Sequence, residues 1–232
     1  MAARKTETIT AAGLAASTLA LLGAGVATDA ASKAGTEPAL SGDRGANADL
    51  YKDVIPGDWD LPSDRTERVD FFIDFLKGDR YDDMKEWLER VGKYGPMIRG
   101  ELRARDMPED LLFLAIIESG LDPNAYSVAD AAGIWQFVAP TGQRYGLEVS
   151  EYVDERRDPV KATGAALSYL QDLHNRFGSW FLAAASYNTG ENRVGRIMTE
   201  LTGTERGADQ DYWSISERLP RETRDYVPLM VA

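Results

Sequence analysis

Between Asp106 and Gly120 the chain reads DMPEDLLFLAIIESG, and no residue from Leu111 to Ile117 is polar. A helix that is apolar on every side offers water no face and must be the buried centre of a domain. Its ends carry signals of their own: Asp106 as N-cap, Glu109 closing a capping box, Pro108 in the first turn and Gly120 as the stop. In its last turn stands a single carboxylate, Glu118. Burial disfavours the charged form and the negative end of the helix dipole pushes the same way, so its pKa should rise toward the roughly 6–7 of a general acid. Two readings fit this segment alone: a proton donor, or a structural ion pair with one of the nearby arginines.

The flanking sequence supplies helices to cover that centre. RTERVDFFIDFLKG places Val69, Phe72, Ile73 and Leu76 on one face, and YDDMKEWLERVGKYG repeats the pattern with Met84, Leu88 and Val91. PMIRGELRARD reads as a third, short amphipathic helix ending near Asp106. A loop from Asp122 to about Ala139 ends in GIWQF, and PTGQRYG is a short helix or turn. DPVKATGAALSYLQDLHNRFG is a long helix capped by Asp158, with Val160, Gly164, Leu167, Leu170, His174 and Phe177 as its stripe and Gly178 at its end. SWFLAAASYN is a second buried helix, GENRVGRIMTELTG follows it, then a polar loop, and RETRDYVPLMVA is a last amphipathic turn or short helix. No clean alternating strand appears, so the class is mainly α with at most a minor hairpin.

The N-terminus implies export. MAARK carries Arg4 and Lys5, and the uncharged ITAAGLAASTLALLGAGVA ends in small-x-small sites at Gly25-Val26-Ala27 and Thr28-Asp29-Ala30. Residues 1–30 are therefore a signal peptide or, left uncleaved, an N-terminal anchor that would associate the chain with a membrane, since the stretch approaches the roughly 20 residues of a span. Residues 31–66, rich in Ala, Gly, Ser, Pro and Asp, form a flexible linker whose end begins to pack through Ile55, Trp59 and Leu61. The folded domain is 67–232, a helical lead-in over 67–105 and a core over 106–232.

Composition narrows the chemistry. With 26 Lys+Arg against 38 Asp+Glu the net charge is -12, which argues against a non-specific nucleic-acid binder. The absence of cysteine removes thiol catalysis, thiolate metal sites, disulfides and a lipid-modified N-terminal cysteine. One histidine, His174, lies on an apolar stripe and reads as a core residue with one satisfied hydrogen bond. DPNAYSVADAAG lacks the alternating ligands and terminal glutamate of a calcium loop, and no metal or cofactor is expected. Catalysis is left to carboxylates, hydroxyls and amides. Trp135, Phe137, Tyr187 and Tyr226 are plain core singly; with Gln136 and Asn188 they have the mixture of rings and polar tips that suits a sugar-binding groove.

Together, ESGLDPNAYSVADAAGIWQFVAPTGQRYGL, DERRDPVKATGAALSYLQDLHNRFGSWFLAAASYNTGENRV and LPRETRDYVP resemble the soluble-lytic-transglycosylase (SLT) catalytic domain, in the branch of membrane-bound lytic murein transglycosylase D. The resemblance runs from about Val69 to the C-terminus and rests on three blocks in order, Glu-Ser, Gly-Ile-Trp-Gln and Tyr-Asn. It implies a lysozyme-like helical fold and cleavage of the β-1,4 bond between N-acetylmuramic acid and N-acetylglucosamine in peptidoglycan glycan strands, in the periplasm or cell envelope. By the same resemblance Glu118 is the catalytic acid/base, Ser127 helps hold the muramoyl acetamido side, and Gln136 is the glutamine of the Gly-x-x-Gln block. Tyr187 and Asn188 line the groove, and Tyr226 closes over the acid. Ser186 stands where alanine is commoner, and Asn192 replaces a glycine in the Gly-Glu-Gly turn; altered local hydrogen bonding without loss of activity is expected. The chain stops at Ala232 without the peptidoglycan-binding repeats common in this branch, so avidity from a second module is not expected.

The implied mechanism uses one carboxyl group where ordinary glycosidases use two, roughly 5 to 9.5 Å apart. Two rivals stand beside it. A goose-type muramidase would pair Glu118 with Asp122, Asp130 or Asp154 to direct a water, and a non-catalytic glycan-binding scaffold would keep the fold without the chemistry.

Overall fold

The computed structural model describes residues 59–232; the calls on the signal or anchor segment, on most of the linker and on Ile55 lie outside them. Nine α-helices and a two-strand hairpin are present among the described residues. α1 (Glu67–Lys77) buries Val69 and Phe72, with Ile73 and Leu76 half-buried beside them. α2 (Tyr81–Arg103) is one 23-residue helix, where the sequence suggested two. Pro96 lies inside it. An internal proline costs about 3 kcal/mol in a helix, but the buried face of Trp87, Val91, Gly95, Ile98 and Leu102 runs straight through it, and packing of that face outweighs the lost bond.

The central apolar segment becomes a 3-10 turn, Glu109–Leu111, followed by α3 (Leu112–Ser119). All of α3 but Phe113 is buried, and Gly120 ends it in the left-handed conformation at φ 59°. Its N-terminus departs from expectation. Asp106 sits at φ 53° and ends the preceding turn, and the Glu109 carboxylate goes to Arg103 at 2.9 Å. The Glu109 N–H instead donates to Asp60 Oδ2 at 2.8 Å, while Asp110 Oδ2 accepts from Asp60 N at 2.6 Å and Leu61 N at 2.9 Å. This reciprocal cap joins residues 49 or 50 positions apart, which a local capping rule cannot see. It fastens the end of the linker to the central helix, with Leu61 buried and the Trp59 ring tilted at 33° against Phe113, 5.4 Å away.

After α3 the chain forms an antiparallel pair, β1 (Ala131–Ala132) with β2 (Phe137–Val138), then α4 (Ala139–Arg144). α5 (Pro159–Phe177) starts as predicted, with Asp158 Oδ1 accepting from Val160 N and Lys161 N and Gly178 at φ 75° as its end. Its buried face is wider than the predicted stripe, because Ala162, Ala165 and Ala166 let neighbouring helices approach, whereas Val160 is exposed. His174 is half-buried and stacked on Trp180 at 3.9 Å. α6 (Trp180–Thr189) is the hub, packing on α5, on α7 (Glu191–Thr202) and on the C-terminal α9 (Arg221–Val231). The polar loop expected before α9 contains a further helix, α8 (Asp209–Ile215), which buries Tyr212 and Ile215 against α6. The result is the mainly α, lysozyme-like class expected. No helix among the described residues is long and apolar enough to cross a membrane.

Candidate active site

Glu118 is 4% exposed and is hydrogen-bonded to a tyrosine: the Tyr226 hydroxyl donates to Glu118 Oε1 at 2.5 Å across 108 residues of sequence. The ion-pair reading of this carboxylate is not what forms. Burial, with the Glu222 charge acting in the same direction, pushes the Glu118 carboxyl up to about 8 against the smaller downward pull of the Tyr226 hydrogen bond. At neutral pH it is therefore mostly protonated, and with Oε1 taken by Tyr226 the transferable proton sits on Oε2. The phenols of Tyr226 and Tyr187 are both driven up, first by their own burial and then by the Glu118 charge, so they remain neutral donors.

α3 delivers Glu118 and α9 delivers Tyr226, and the turn Gly133–Gln136 between the two strands lies beside them. Its geometry is set by three consecutive carbonyls, each held by a different part of the sequence. Gly133 O accepts from Gln136 Nε2 at 2.8 Å, Ile134 O from Ser119 Oγ at 2.9 Å, and Trp135 O from the Tyr187 hydroxyl at 2.8 Å. The Glu-Ser, Gly-Ile-Trp-Gln and Tyr-Asn blocks are thus one hydrogen-bonded unit. Trp135 points the other way, its Nε1 donating to Thr163 Oγ1 at 3.0 Å. Gln136 adopts φ 47°, a strained value for a residue with a side chain, and its amide bond to Gly133 O helps hold it there.

The remaining expected residues are placed as follows. Asn188 is buried and its Oδ1 accepts from Thr223 Oγ1 at 2.8 Å, which docks α6 onto α9 one turn before Tyr226. Ser127 is buried, with Oγ accepting from Ala129 N at 3.2 Å and Ala131 N at 3.1 Å, so it shapes the turn into β1. Ser186 contributes a buried hydroxyl with no partner among the described residues, and Asn192 Oδ1 accepts from Arg176. Of the acids suggested as a second carboxylate, Asp154 is bound bidentately by Arg156 and held below the usual range by it; Asp122 accepts from Asn124 N and Asp130 from the Tyr126 hydroxyl. The carboxylate whose charge reaches Glu118 is Glu222, which the sequence reading passed over. Its signal was available: in RETRDY it precedes Tyr226 by four residues, which puts both on one face of α9. Thr223 was passed over too, and Ser119 was named only in the Glu-Ser block, without a role. Among the described residues no set of three or more His, Asp or Glu side chains converges as a metal site would.

The chain is similar to known proteins over the segment that carries this arrangement. The family model of the Transglycosylase SLT domain matches residues 96–206. Over 144 residues the chain is 45% identical to membrane-bound lytic murein transglycosylase D of Escherichia coli (strain K12), a match covering 62% of this chain and 31% of that one. A tributyltin chloride resistance protein of Alteromonas sp. (strain M-1) is 34% identical over 118 residues, 50% of this chain and 57% of that one. A peptidoglycan transglycosylase of Escherichia phage T7 is 34% identical over 137 residues, 58% of this chain and 10% of that one. The chain thus spans about a third of the length of the first of these relatives and a tenth of the last. The matched segment holds Glu118 and the carbonyl-clamped turn, so residues 96–206 carry the features of a transglycosylase SLT domain, and the chain is similar over that region to membrane-bound lytic murein transglycosylase D.

Proposed function

We propose that this protein is a peptidoglycan lytic transglycosylase of the cell envelope, exported to the periplasm, that cleaves the bond between N-acetylmuramic acid and N-acetylglucosamine and leaves 1,6-anhydro ends. The observation that carries the reading is the lone buried carboxyl of Glu118, neutral near pH 7 and held by Tyr226. Glu118 gives its Oε2 proton to the glycosidic oxygen as the bond to the anomeric carbon breaks, with the muramoyl acetamido group assisting at that carbon. The carboxylate left behind then takes the proton of the muramoyl 6-hydroxyl as that oxygen closes on the anomeric carbon. No water is consumed, and the proton count on Glu118 returns to its start. Ser127, Gln136, Tyr187 and Asn188 bound the site in which the sugar lies, and Tyr226 orients the acid.

Names of the relatives support the same chemistry, one being a lytic murein transglycosylase and another a peptidoglycan transglycosylase. The test is mass spectrometry of glycan strands from purified sacculi digested with the protein. Anhydro-muramoyl ends are expected; reducing ends would overturn the reading in favour of hydrolysis.

A hydrolytic second reading is favoured by one observation, the proximity of the Glu222 charge to Glu118. The two readings separate in the variant Glu222→Gln. If Glu222 only adds negative potential, its removal lowers the Glu118 pKa, so the loss of kcat/KM on raising the pH, which follows deprotonation of the acid, moves to lower pH with the maximum rate within a few-fold. If Glu222 is the base that activates a water, the rate falls by roughly 10²–10⁴ at every pH. A pH profile of strand cleavage by the two proteins decides.

A further inference from the structure

Glu118 and Tyr226 come from α3 and α9, so the 2.5 Å bond between them holds only while those two helices keep their places. Residues 59–77 grip both. On the α3 side the grip is at the leading turn, where Asp60 Oδ2 accepts from Glu109 N and Asp110 Oδ2 accepts from Asp60 N and Leu61 N. On α9 it is at Asp225, the residue before Tyr226: Arg68 of α1 donates to both of its carboxylate oxygens, at 2.7 and 2.6 Å. Trp59, Leu61 and Pro62 border one small cavity together with Asp110 and with Met230 and Val231 of α9, so the end of the linker adjoins both helices. α6 and α8 hold the first turn of α9 through Asn188 and Tyr212, and residues 59–77 link the remainder of it to α3. Consecutive residues of an α-helix point about 100° apart. With Asp225 turned toward α1 and Tyr226 toward Glu118, fixing the first fixes the rotation of the second. The guanidinium that does so is itself oriented, lying over the rings of Phe71 and Phe72 at 4.6 and 4.8 Å.

We propose that Asp60 and Arg68 are positioning residues: together they brace α3 against α9 and hold the Glu118 carboxyl in register with the Tyr226 hydroxyl; that Glu118 is the reacting acid rests on the function proposed above. Both act through Tyr226 and not on the sugar. The groups that face Glu118 are Tyr226 and Glu222 of α9 and Tyr187 of α6, so a movement of α9 displaces two of the three. The Tyr226 bond pulls the Glu118 carboxyl down by more than the Glu222 charge pushes it up. Loosening α9 therefore raises the point at which Glu118 ionises, and it leaves the acid poorly aimed, which lowers kcat more than it changes KM.

The test is a double-mutant cycle read on the acid itself, by carbon-13 NMR titration of the Glu118 carboxyl in the full chain, with Glu118→Gln identifying the resonance. Tyr226→Phe and Arg68→Ala are each expected to raise the midpoint by at least about half a pH unit. The double variant should move no further than Tyr226→Phe alone, because Arg68 acts through that hydroxyl. Asp60→Ala should shift the midpoint in the same direction, and Asp60→Asn, which keeps an acceptor for the Glu109 N–H, should restore it. Arg68→Lys keeps a charge opposite Asp225 but cannot bind both oxygens, so it should give an intermediate shift and carries the test if the alanine variant does not fold. Arg65→Ala, which removes an exposed ion pair beside the same helix, is the control and should leave the midpoint in place. An unmoved midpoint in the Arg68 and Asp60 variants, or additive shifts in the double variant, would overturn the proposal. In glycan cleavage Arg68→Ala should lower kcat about tenfold with KM little changed. The products separate the two readings: a shifted midpoint with reducing ends would sink the transglycosylase reaction alone, and an unmoved midpoint with anhydro ends would sink the brace alone.

Discussion

Glu118→Gln is expected to lower glycan cleavage by about 10³-fold, within the roughly 10²–10⁴ attributable to a positioned general acid, while altering stability in opposite directions at low and high pH. The amide keeps an oxygen for the Tyr226 hydroxyl but has no proton to give. The stability effect follows from linkage. In the unfolded chain a glutamate ionises at its ordinary 4.5, and in the fold at about 8. Between those values the folded state holds a proton that the unfolded state has released, so stability falls as pH rises through the window and is unaffected by this group below it. A glutamine carries no such penalty, although its buried NH₂ must find an acceptor at a cost of about 1–3 kcal/mol. The variant should therefore be the less stable protein at pH 5 and the more stable one at pH 8, the balance moving by about 3 kcal/mol, or roughly 10 °C in melting temperature for a domain of this size. Melting curves of the two proteins at both pH values check this. Curves that run parallel would mean that Glu118 is not a buried neutral acid, and the catalytic assignment would go with it.

What could be read from the chain depended on how far the physical cause lay from the residue. α3 and its glutamate were legible because burial of a helix is a property of seven consecutive side chains, and Asp158 was legible as a cap because its partners are two and three residues away. The cap of α3 was misread for the converse reason: Asp60 lies 49 residues from Glu109, and the local alternative, Asp106, obeys every sequence rule while its backbone is needed for the turn that ends α2. Pro96 misled in the same way, since propensity is local and the buried stripe that overrides it is tertiary. α8 was missed because its short, polar sequence buries only Tyr212 and Ile215. In the site, burial singled out Glu118 and the mixture of rings and polar tips singled out Gln136, Tyr187, Asn188 and Tyr226; resemblance added Ser127 and an expected role for each, but not the geometry. Tyr187 and Gln136 look from sequence like groove residues with polar tips to offer, whereas the structure engages both tips on backbone carbonyls of one turn. Ser119, which completes that set, entered only as part of the Glu-Ser block and was given no role, because its partner, the Ile134 carbonyl, lies 15 residues away.

That turn leads to a large expected stability effect, at Gly133. Its φ of 79° lies in the left-handed region, and a Cβ added there would stand 1.8 Å from the backbone oxygen of Arg156 and 2.7 Å from its carbonyl carbon. Flexible side chains can move aside; this carbonyl cannot. Arg156 is buried, its guanidinium is locked to Asp154 at 2.8 Å by each of two nitrogens, and it donates to Asp130 O at 2.6 Å and Phe137 O at 3.0 Å, on the two sides of the same hairpin. An alanine at 133 would have to shift the turn or break that anchor, and either movement displaces the carbonyls that Ser119, Gln136 and Tyr187 hold. Gly133→Ala should accordingly destabilise by more than about 4 kcal/mol, the range reserved for broken networks and special backbone positions, and what folds should cleave poorly because the wall beside Glu118 has moved. Gly146→Ala is the control that separates strain from collision: its φ of 88° is equally left-handed, yet nothing lies within 4 Å of the added carbon, so it should cost only about 1–2 kcal/mol. Equal melting temperatures for the two variants would show that the approach of Arg156 to the turn is not what fixes it, and the account of the Gly-x-x-Gln block as a clamped backbone device would fail with it.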